Sequence, residues 1–210
     1  LFQFFNPAEP FFAGLFIFIC GISCRLSHNN WKRGALLALV AAGMSLFLYL
    51  FMREQMIWFG VLHFLAVSIL LFALLRPALD RIPPLAGVIA SFLLLAMTWW
   101  VPAYKGSLLG IEGLFTLEIP EWMVGMPLLY PLGLGAGEGA DYFPLLPWFF
   151  CFLAGSFTGV WAKEGRFPRW MYRSRLPWLS WLGRHTLVIY VVHQPVVFGL
   201  CWLAVTLLGL

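Results

Sequence analysis

The sequence predicts an all-α protein, a polytopic transmembrane helix bundle of about six spans, and three observations predict it. Hydrophobic residues make up 62% of the 210 residues and charged residues only 10%, whereas a soluble domain averages roughly half apolar and a quarter charged. The apolar residues form continuous runs, and in lipid only helices or closed barrels satisfy every backbone polar group. The basic residues gather in alternate loops between these runs.

Six apolar runs are long enough to be spans, since roughly 20 helical residues cross a hydrocarbon core of about 30 Å. In chain order, we predict helices at 10–24, 34–52, 57–75, 85–104, 145–162 and 180–208. Strands are not expected, because polar and apolar residues do not alternate in the runs. In the fifth run, Gly155 and Gly159 form a GxxxG pattern, which predicts close packing against another helix.

The loops between these runs divide by charge. The loops after the first, third and fifth runs, with Arg184 just inside the sixth, hold 11 of the 13 Lys and Arg residues. The other side has only Arg53 and Lys105 as bases, together with most of the acidic residues. The positive-inside rule therefore predicts that the first, third and fifth loops are cytoplasmic.

The segment 105–144 is a long predicted extracytoplasmic loop that contains Pro residues, alternating Gly residues and short apolar pieces. It is either a plain surface loop or a functional lid with interfacial or re-entrant pieces, since long loops in compact proteins are often functional. We predict one transmembrane domain over 1–210. Because the chain begins at Leu1 in Phe-rich sequence, we expect it to be N-terminally incomplete, with at least one helix upstream.

Charge and cysteine usage argue against two other classes of site. The net charge of +4 is small and is distributed by loop, so we predict no nucleic-acid partner. Cysteines lie only inside apolar runs, and their spacing matches no zinc or thioredoxin-type pattern. We therefore interpret them as small buried apolar residues and predict no metal site.

Two histidines fall inside predicted spans, where ionisable side chains are rare and usually face a bundle interior or an aqueous cavity. His63 is placed about 7.5 Å below the outer interface, and His193 about 18 Å from the cytoplasmic side, so both are expected in the outer half. Pro195 lacks an N–H and should kink the last helix beside His193. The histidines are either functional or serve only to satisfy neighbouring backbone groups.

Two acidic residues flank the outer ends of predicted helices. Glu9 precedes the first run and Asp141 precedes the fifth. A carboxylate beside an imidazole holds its tautomer and raises its basicity for acid–base chemistry. Either acid is a candidate for this role, although Glu9 also complements a helix dipole and Asp141 is also suited to a helix N-terminus.

Four segments together resemble a known family. They are FIFICGIS at 16–23, FGVLH at 59–63, DYFPLLPW at 141–148 and LGRHTLVIYVVHQP at 182–195. The chain resembles, over essentially its whole length, bacterial multi-pass membrane proteins of uncharacterised function that are grouped with the catalytic domain of heparan-alpha-glucosaminide N-acetyltransferase.

The resemblance implies a transmembrane acyltransferase-like domain in a bacterial inner membrane, surrounded by lipid. Such enzymes take acetyl from acetyl-CoA, supplied from the cytoplasm, and deliver it to a sugar on the far side, so a glycan acceptor is expected. Under this interpretation His193 and His63 are candidate bases, with Asp141 or Glu9 orienting them. Arg184 and Arg33 either meet the CoA phosphates or serve only as positive-inside anchors.

One departure from the family bears on the site. In the animal enzyme the catalytic histidine lies in the outer loop before the helix that matches the first run, and here that region holds Asn6, Pro7 and Glu9 but no histidine. The catalytic residue lies upstream, or His63 or His193 replaces it, or the protein is not an acetyltransferase.

Two other functions remain open from the sequence. The first is a transporter or channel in which His63 and His193 relay protons or substrate, although no clear inverted repeat is found, and transporters usually pair their broken helices. The second is a non-catalytic scaffold for envelope enzymes. The sequence leaves oligomerisation, the acyl donor and the acceptor undetermined.

Overall fold

A computed structural model provides the structure of the chain. It describes residues 8–51, 53, 56–102, 108–111, 115–120, 122–124, 126–134, 142–172 and ten further positions between 178 and 206. By its internal contacts the chain divides into two compact units, Leu1–Arg166 and Phe167–Leu210. Most of the described residues belong to the first unit.

Helices dominate the described residues of both units. In the first unit the helices are α1 Ala8–Leu26, α2 Asn30–Phe51, α3 Val61–Leu79, α4 Pro84–Thr98 and α5 Leu145–Lys163. Between α4 and α5 lie strands β1 Leu108–Ile111 and β2 Phe115–Glu118 and a 3₁₀ helix at Pro127–Leu132. The second unit has a 3₁₀ helix at Arg169–Tyr172, and its described positions from 178 onwards are helical.

Three of the helices within the described residues are long and apolar enough to cross a bilayer, namely α2, α3 and α5. The apolar part of α1, Pro10–Leu26, and α4 are shorter. The apolar composition of these helices and the predominance of helix among the described residues confirm the predicted all-α membrane helix bundle. The number of spans stays a prediction.

Three helices differ by four residues or more from the predicted boundaries. Helix α2 begins at Asn30 rather than at 34. Helix α4 ends at Thr98 rather than at 104, because Pro102 has no N–H to donate to the Thr98 carbonyl. Helix α3 begins at Val61 rather than at 57, so His63 is only the third residue of its helix. Its Cα therefore lies about 3 Å along the axis from the first residue, closer to the helix end than the predicted 7.5 Å.

The long segment between α4 and α5 lies outside the apolar runs, where strands were not expected, and it contains a short hairpin. Strands β1 and β2 pair in antiparallel register, with Leu108 opposite Glu118 and Ile111 opposite Phe115. The argument against strands applies to backbone in lipid. The side chains from Thr116 to Glu118 are exposed, and a short hairpin is admissible there because water can satisfy its free edges.

Helix α5 forms the centre of the first unit. It packs along α1 on one side and α4 on another, while α2 pairs with α3. The core contains the fully buried side chains of Ile17, Phe72 and Phe152, and the rings of Phe72 and Phe152 meet edge to face at 6.1 Å between centroids. A bundle centred on α5 is consistent with its larger buried share among the candidate spans.

Glycines allow α1 and α5 to approach backbone to backbone. A Cβ added at Gly155 would lie 2.0 Å from the carbonyl oxygen of Phe18, and one added at Gly21 would lie 2.1 Å from that of Phe152. At Gly159 the nearest atoms belong to α1 as well. The GxxxG pattern is therefore confirmed as a helix-packing surface.

Replacing Gly155 by Ala should force α1 and α5 apart and lower the free energy of unfolding by about 1–3 kcal/mol, as overpacking does. Gly43 on α2 is the matched control, because an added Cβ there meets nothing within 4 Å. Thermal unfolding of both variants in detergent micelles measures the difference. Equal stability of Gly155→Ala and Gly43→Ala would contradict the close approach.

Candidate functional site

The first unit has two chemically different ends. The C-terminal ends of α1, α3 and α5 and the N-terminal ends of α2 and α4 form one end, which we call the basic end. The Arg25 side chain on α1 contacts both Asp80, which follows α3, and Ser156 of α5. The opposite end carries His63 on α3, and we call it the His63 end. Two of the three loops predicted to be basic, the first and the third, therefore meet at one end of the unit.

The half-buried imidazole of His63 is held by α2. Its Nε2 lies 3.1 Å from Oγ of Ser45, and the same hydroxyl lies 3.2 Å from the carbonyl oxygen of Ile57. The ring also lies near that of Phe59, with 6.1 Å between centroids. These contacts join α2, the loop before α3 and the first turn of α3 around one titratable group.

The segment before α5 is tied to the same end. The backbone N–H of Phe143 donates to the carbonyl of Phe59 over 3.2 Å, four residues before His63. The hydroxyl of Tyr142 donates to the carbonyl of Tyr130 over 2.5 Å. The described part of this segment therefore lies at the His63 end.

Aromatic rings gather at this end. The rings of Trp99 and Trp148 meet edge to face at 5.6 Å, Phe143 lies 5.8 Å from Trp148, and Tyr130 lies 4.7 Å from Tyr142 between centroids. Burial raises the pKa of Tyr130. Burial raises the pKa of Tyr142 further, and the neighbouring Tyr130 adds to this effect.

Tyr142 should make the protein less stable in alkali. The folded state keeps the phenol proton after the unfolded state has lost it, so the unfolded state binds fewer protons and stability falls as the pH rises above about 10. In Tyr142→Phe the hydrogen bond is lost, which costs about 0.5–1.5 kcal/mol at neutral pH, but the decline in alkali should be shallower. Equilibrium unfolding across that pH range measures it, and parallel curves for the two proteins would contradict the shift.

The basic end contains a buried arginine that the sequence had assigned to a loop. Arg25 lies inside α1 with its side chain 6% exposed. Its Nε donates to the carbonyl of Ser156 over 3.1 Å, and Nη1 donates to the carboxylate of Asp80. The guanidinium also lies 5.3 Å from the ring centre of Phe72 and 5.9 Å from that of Phe157. The one sequence signal was Asp80, an acid in an otherwise basic region.

Arg33 lies at the start of α2 at the same end. Its Nη1 and Nη2 donate to the carbonyl and hydroxyl of Ser23 on α1, over 3.3 and 3.2 Å. The side chain is half-buried, and a guanidinium has five N–H donors. Arg33 therefore anchors α1 to α2 and keeps further donors that suit a phosphate.

Four other residues were predicted to belong to the site. His193, Asp141 and Arg184 lie outside the described residues. Glu9 is the second residue of α1, in the first turn at the His63 end, and only its backbone is described. Among the described residues, no three His, Cys, Asp or Glu side chains gather where they would hold a metal ion.

Comparison with known proteins relates the chain to one family. The model of the family "Heparan-alpha-glucosaminide N-acetyltransferase, catalytic" matches residues 2–195. No curated protein matches the chain, and no solved structure does. The family indicates a membrane acetyltransferase, and acetyltransferases of this kind use acetyl-CoA as their donor. With the match covering most of its length and both ends of the first unit, the chain belongs to the heparan-alpha-glucosaminide N-acetyltransferase catalytic-domain family.

Proposed function

We propose that this protein is a multi-pass acetyltransferase of a bacterial inner membrane. It moves an acetyl group from cytoplasmic acetyl-CoA to a hydroxyl or amine of an extracytoplasmic glycan or similar acceptor. The observation that carries the proposal is the separation of a basic end, which includes Arg33, from an opposite end that holds the imidazole of His63. A donor with phosphates suits the first end, and proton transfer suits the second.

In this proposal the imidazole of His63 acts as general base, and His193, which lies outside the described residues, is the alternative base. The acceptor hydroxyl or amine gives its proton to the ring, and its oxygen or nitrogen bonds to the acetyl carbonyl carbon. The bond between that carbon and the CoA sulfur then breaks, and the imidazolium returns the proton to the leaving thiolate. Asp141 or Glu9 orients the imidazole, because a carboxylate stabilises the imidazolium that forms.

At the basic end, Arg33 binds the phosphates of the donor. The sequence suggests the same role for Arg184, which lies outside the described residues. A guanidinium matches phosphate oxygens through parallel N–H bonds and is always charged. For Arg33 this role uses the donors that Ser23 leaves available. Lys32 is exposed one residue earlier and strengthens the positive potential without a fixed geometry.

The first test is acceptor-dependent release of free CoA thiol by purified protein in proteoliposomes supplied with acetyl-CoA. Amino sugars and neutral sugars serve as acceptors, and empty liposomes are the control. We expect thiol release that requires an acceptor and yields an acetylated product. Substrate flux through the vesicles without thiol release would instead assign the protein to transport.

Replacing Arg33 by Gln should raise the KM for acetyl-CoA by about 10- to 150-fold, because a charge-assisted hydrogen bond contributes about 1.5–3 kcal/mol. Ser23→Ala is the matched control, since it removes the hydroxyl that accepts from Nη2 and keeps both the charge of Arg33 and its bond to the Ser23 carbonyl. We expect its KM to stay near that of the unaltered protein. An equal rise in KM in both variants, or no rise in Arg33→Gln, would mean that Arg33 only joins α1 to α2 and does not bind the donor.

A further inference from the structure

The hydroxyl of Ser45 makes two contacts that together specify where the protons lie. A serine hydroxyl has one hydrogen to donate and two lone pairs to accept with. Ser45 Oγ is 3.2 Å from the carbonyl oxygen of Ile57 and 3.1 Å from Nε2 of His63. A carbonyl oxygen only accepts, so the first contact is a hydrogen bond only when the Ser45 hydrogen points at Ile57.

With its hydrogen committed to Ile57, the serine oxygen can only accept from the imidazole. Ile57 lies in the loop between α2 and α3, where no helical ladder supplies a donor to its carbonyl. The opposite arrangement, in which Ser45 donates to Nε2, leaves that carbonyl without the serine proton. Both contacts are satisfied together only when Nε2 carries a hydrogen.

We infer that Ser45 is a positioning residue that holds His63 as its Nε2–H tautomer and leaves Nδ1 as the basic nitrogen. Which nitrogen of a histidine is protonated is set by the hydrogen bond that the other one makes. Among the described residues nothing hydrogen-bonds to Nδ1, which in this tautomer keeps its lone pair to accept a proton.

Two further contacts keep the ring in place. The Phe59 ring lies at 6.1 Å and a tilt of 34° to the imidazole. Phe59 is itself fixed, since its carbonyl accepts from the N–H of Phe143. The direction of the Nδ1 lone pair is therefore set by α2, by the loop before α3 and by the segment before α5.

The consequence for chemistry rests on the proposed function. If His63 is the base, the acceptor proton is taken by Nδ1, and the imidazolium that forms keeps its Nε2–H bond to Ser45. Losing Ser45 frees the ring to rotate and to exchange tautomers. A hydrogen bond of this kind contributes about 0.5–1.5 kcal/mol, which corresponds to a fall in kcat of about two- to tenfold.

Nitrogen NMR of isotope-labelled histidine in the detergent-solubilised full chain tests the assignment. The protein has four histidines, and the spectrum of His63→Gln identifies the signals of His63. We expect an unprotonated Nδ1 and a protonated Nε2 at a pH where the ring is neutral. In Ser45→Ala we expect the two nitrogens to move towards an average, and in Ser45→Thr the original pattern should return.

Kinetics of the same variants test the catalytic part. Ser45→Ala should lower kcat with little change in KM, and Ser45→Thr should restore kcat. The control is Ser91→Ala on α4, where the lost hydroxyl donates to Gly87 of the same helix, and it should change neither kcat nor KM. A protonated Nδ1 in the unaltered protein, or a pattern unchanged in Ser45→Ala, would overturn the inference. A protein that transfers no acetyl group yet shows the expected tautomer would overturn the proposed function and leave the assignment standing.

Discussion

Replacing His63 by Ala is expected to lower acetyl transfer by about 10²–10⁴-fold, the range that general acid–base catalysis contributes. The ring is half-buried at the His63 end and is held by Ser45 through Nε2, an arrangement that suits a group working through its other nitrogen. In this variant no imidazole at position 63 takes the proton of the acceptor, so the transfer step is slowed. Binding of acetyl-CoA at the opposite end should be retained.

Initial rates of transfer in proteoliposomes measure this effect. His28→Ala is the matched control, because His28 is exposed beside the start of α2 at the basic end and should leave the rate unchanged. His193→Ala belongs in the same series, since it is the other candidate base. Unchanged turnover in both His63→Ala and His193→Ala would remove both histidines from the mechanism.

The second large effect concerns stability. Replacing Asp80 by Ala leaves Arg25, with a side chain only 6% exposed, without its carboxylate. Breaking a fully buried ion pair costs about 3–5 kcal/mol. Asp80 is itself 49% exposed, so water reduces the penalty, and we expect a loss of about 2–3 kcal/mol. Chemical unfolding in mixed micelles measures it.

A surface pair provides the control for Asp80→Ala. Glu164 and Arg166 form a salt bridge of 2.9 Å with the arginine 68% exposed, and such pairs contribute about 0–1 kcal/mol. Glu164→Ala should therefore change stability much less. Adding Arg25→Met to Asp80→Ala should recover stability, since an apolar side chain removes the uncompensated charge. Equal effects of Asp80→Ala and Glu164→Ala would contradict the buried pair.

The helices were predictable because lipid imposes strong local rules. The continuous apolar runs and the alternation of basic loops place α1, α2, α3, α4 and α5 within a few residues of their observed bounds. What failed was local. Pro102 ends α4 earlier than its apolar run suggests. The β1–β2 hairpin lies outside the apolar runs, where the rule about backbone in lipid makes no prediction.

The contacts of the site were harder to predict, because they depend on the register of one helix against another. The position of His63 inside a predicted span made it a candidate, yet nothing in the sequence indicated that Ser45, on a different helix, would contact its Nε2. Arg25 is a similar case. Its charge assigned it to the predicted first cytoplasmic loop, whereas the close packing of α1 against α5 buries it against Ser156. Neither relation follows from one segment alone.

Vectorial transfer across a sealed membrane tests the central claim most directly. Proteoliposomes are loaded with an amino sugar, and acetyl-CoA with a radiolabelled acetyl group is added outside. Only protein molecules whose basic end faces outwards can bind this donor, and the label that reaches the lumen is measured. Acetylated sugar should accumulate in the lumen with the unaltered protein and should be lost in His63→Ala. An unlabelled lumen in the presence of folded, correctly oriented protein would contradict a transmembrane acetyltransferase.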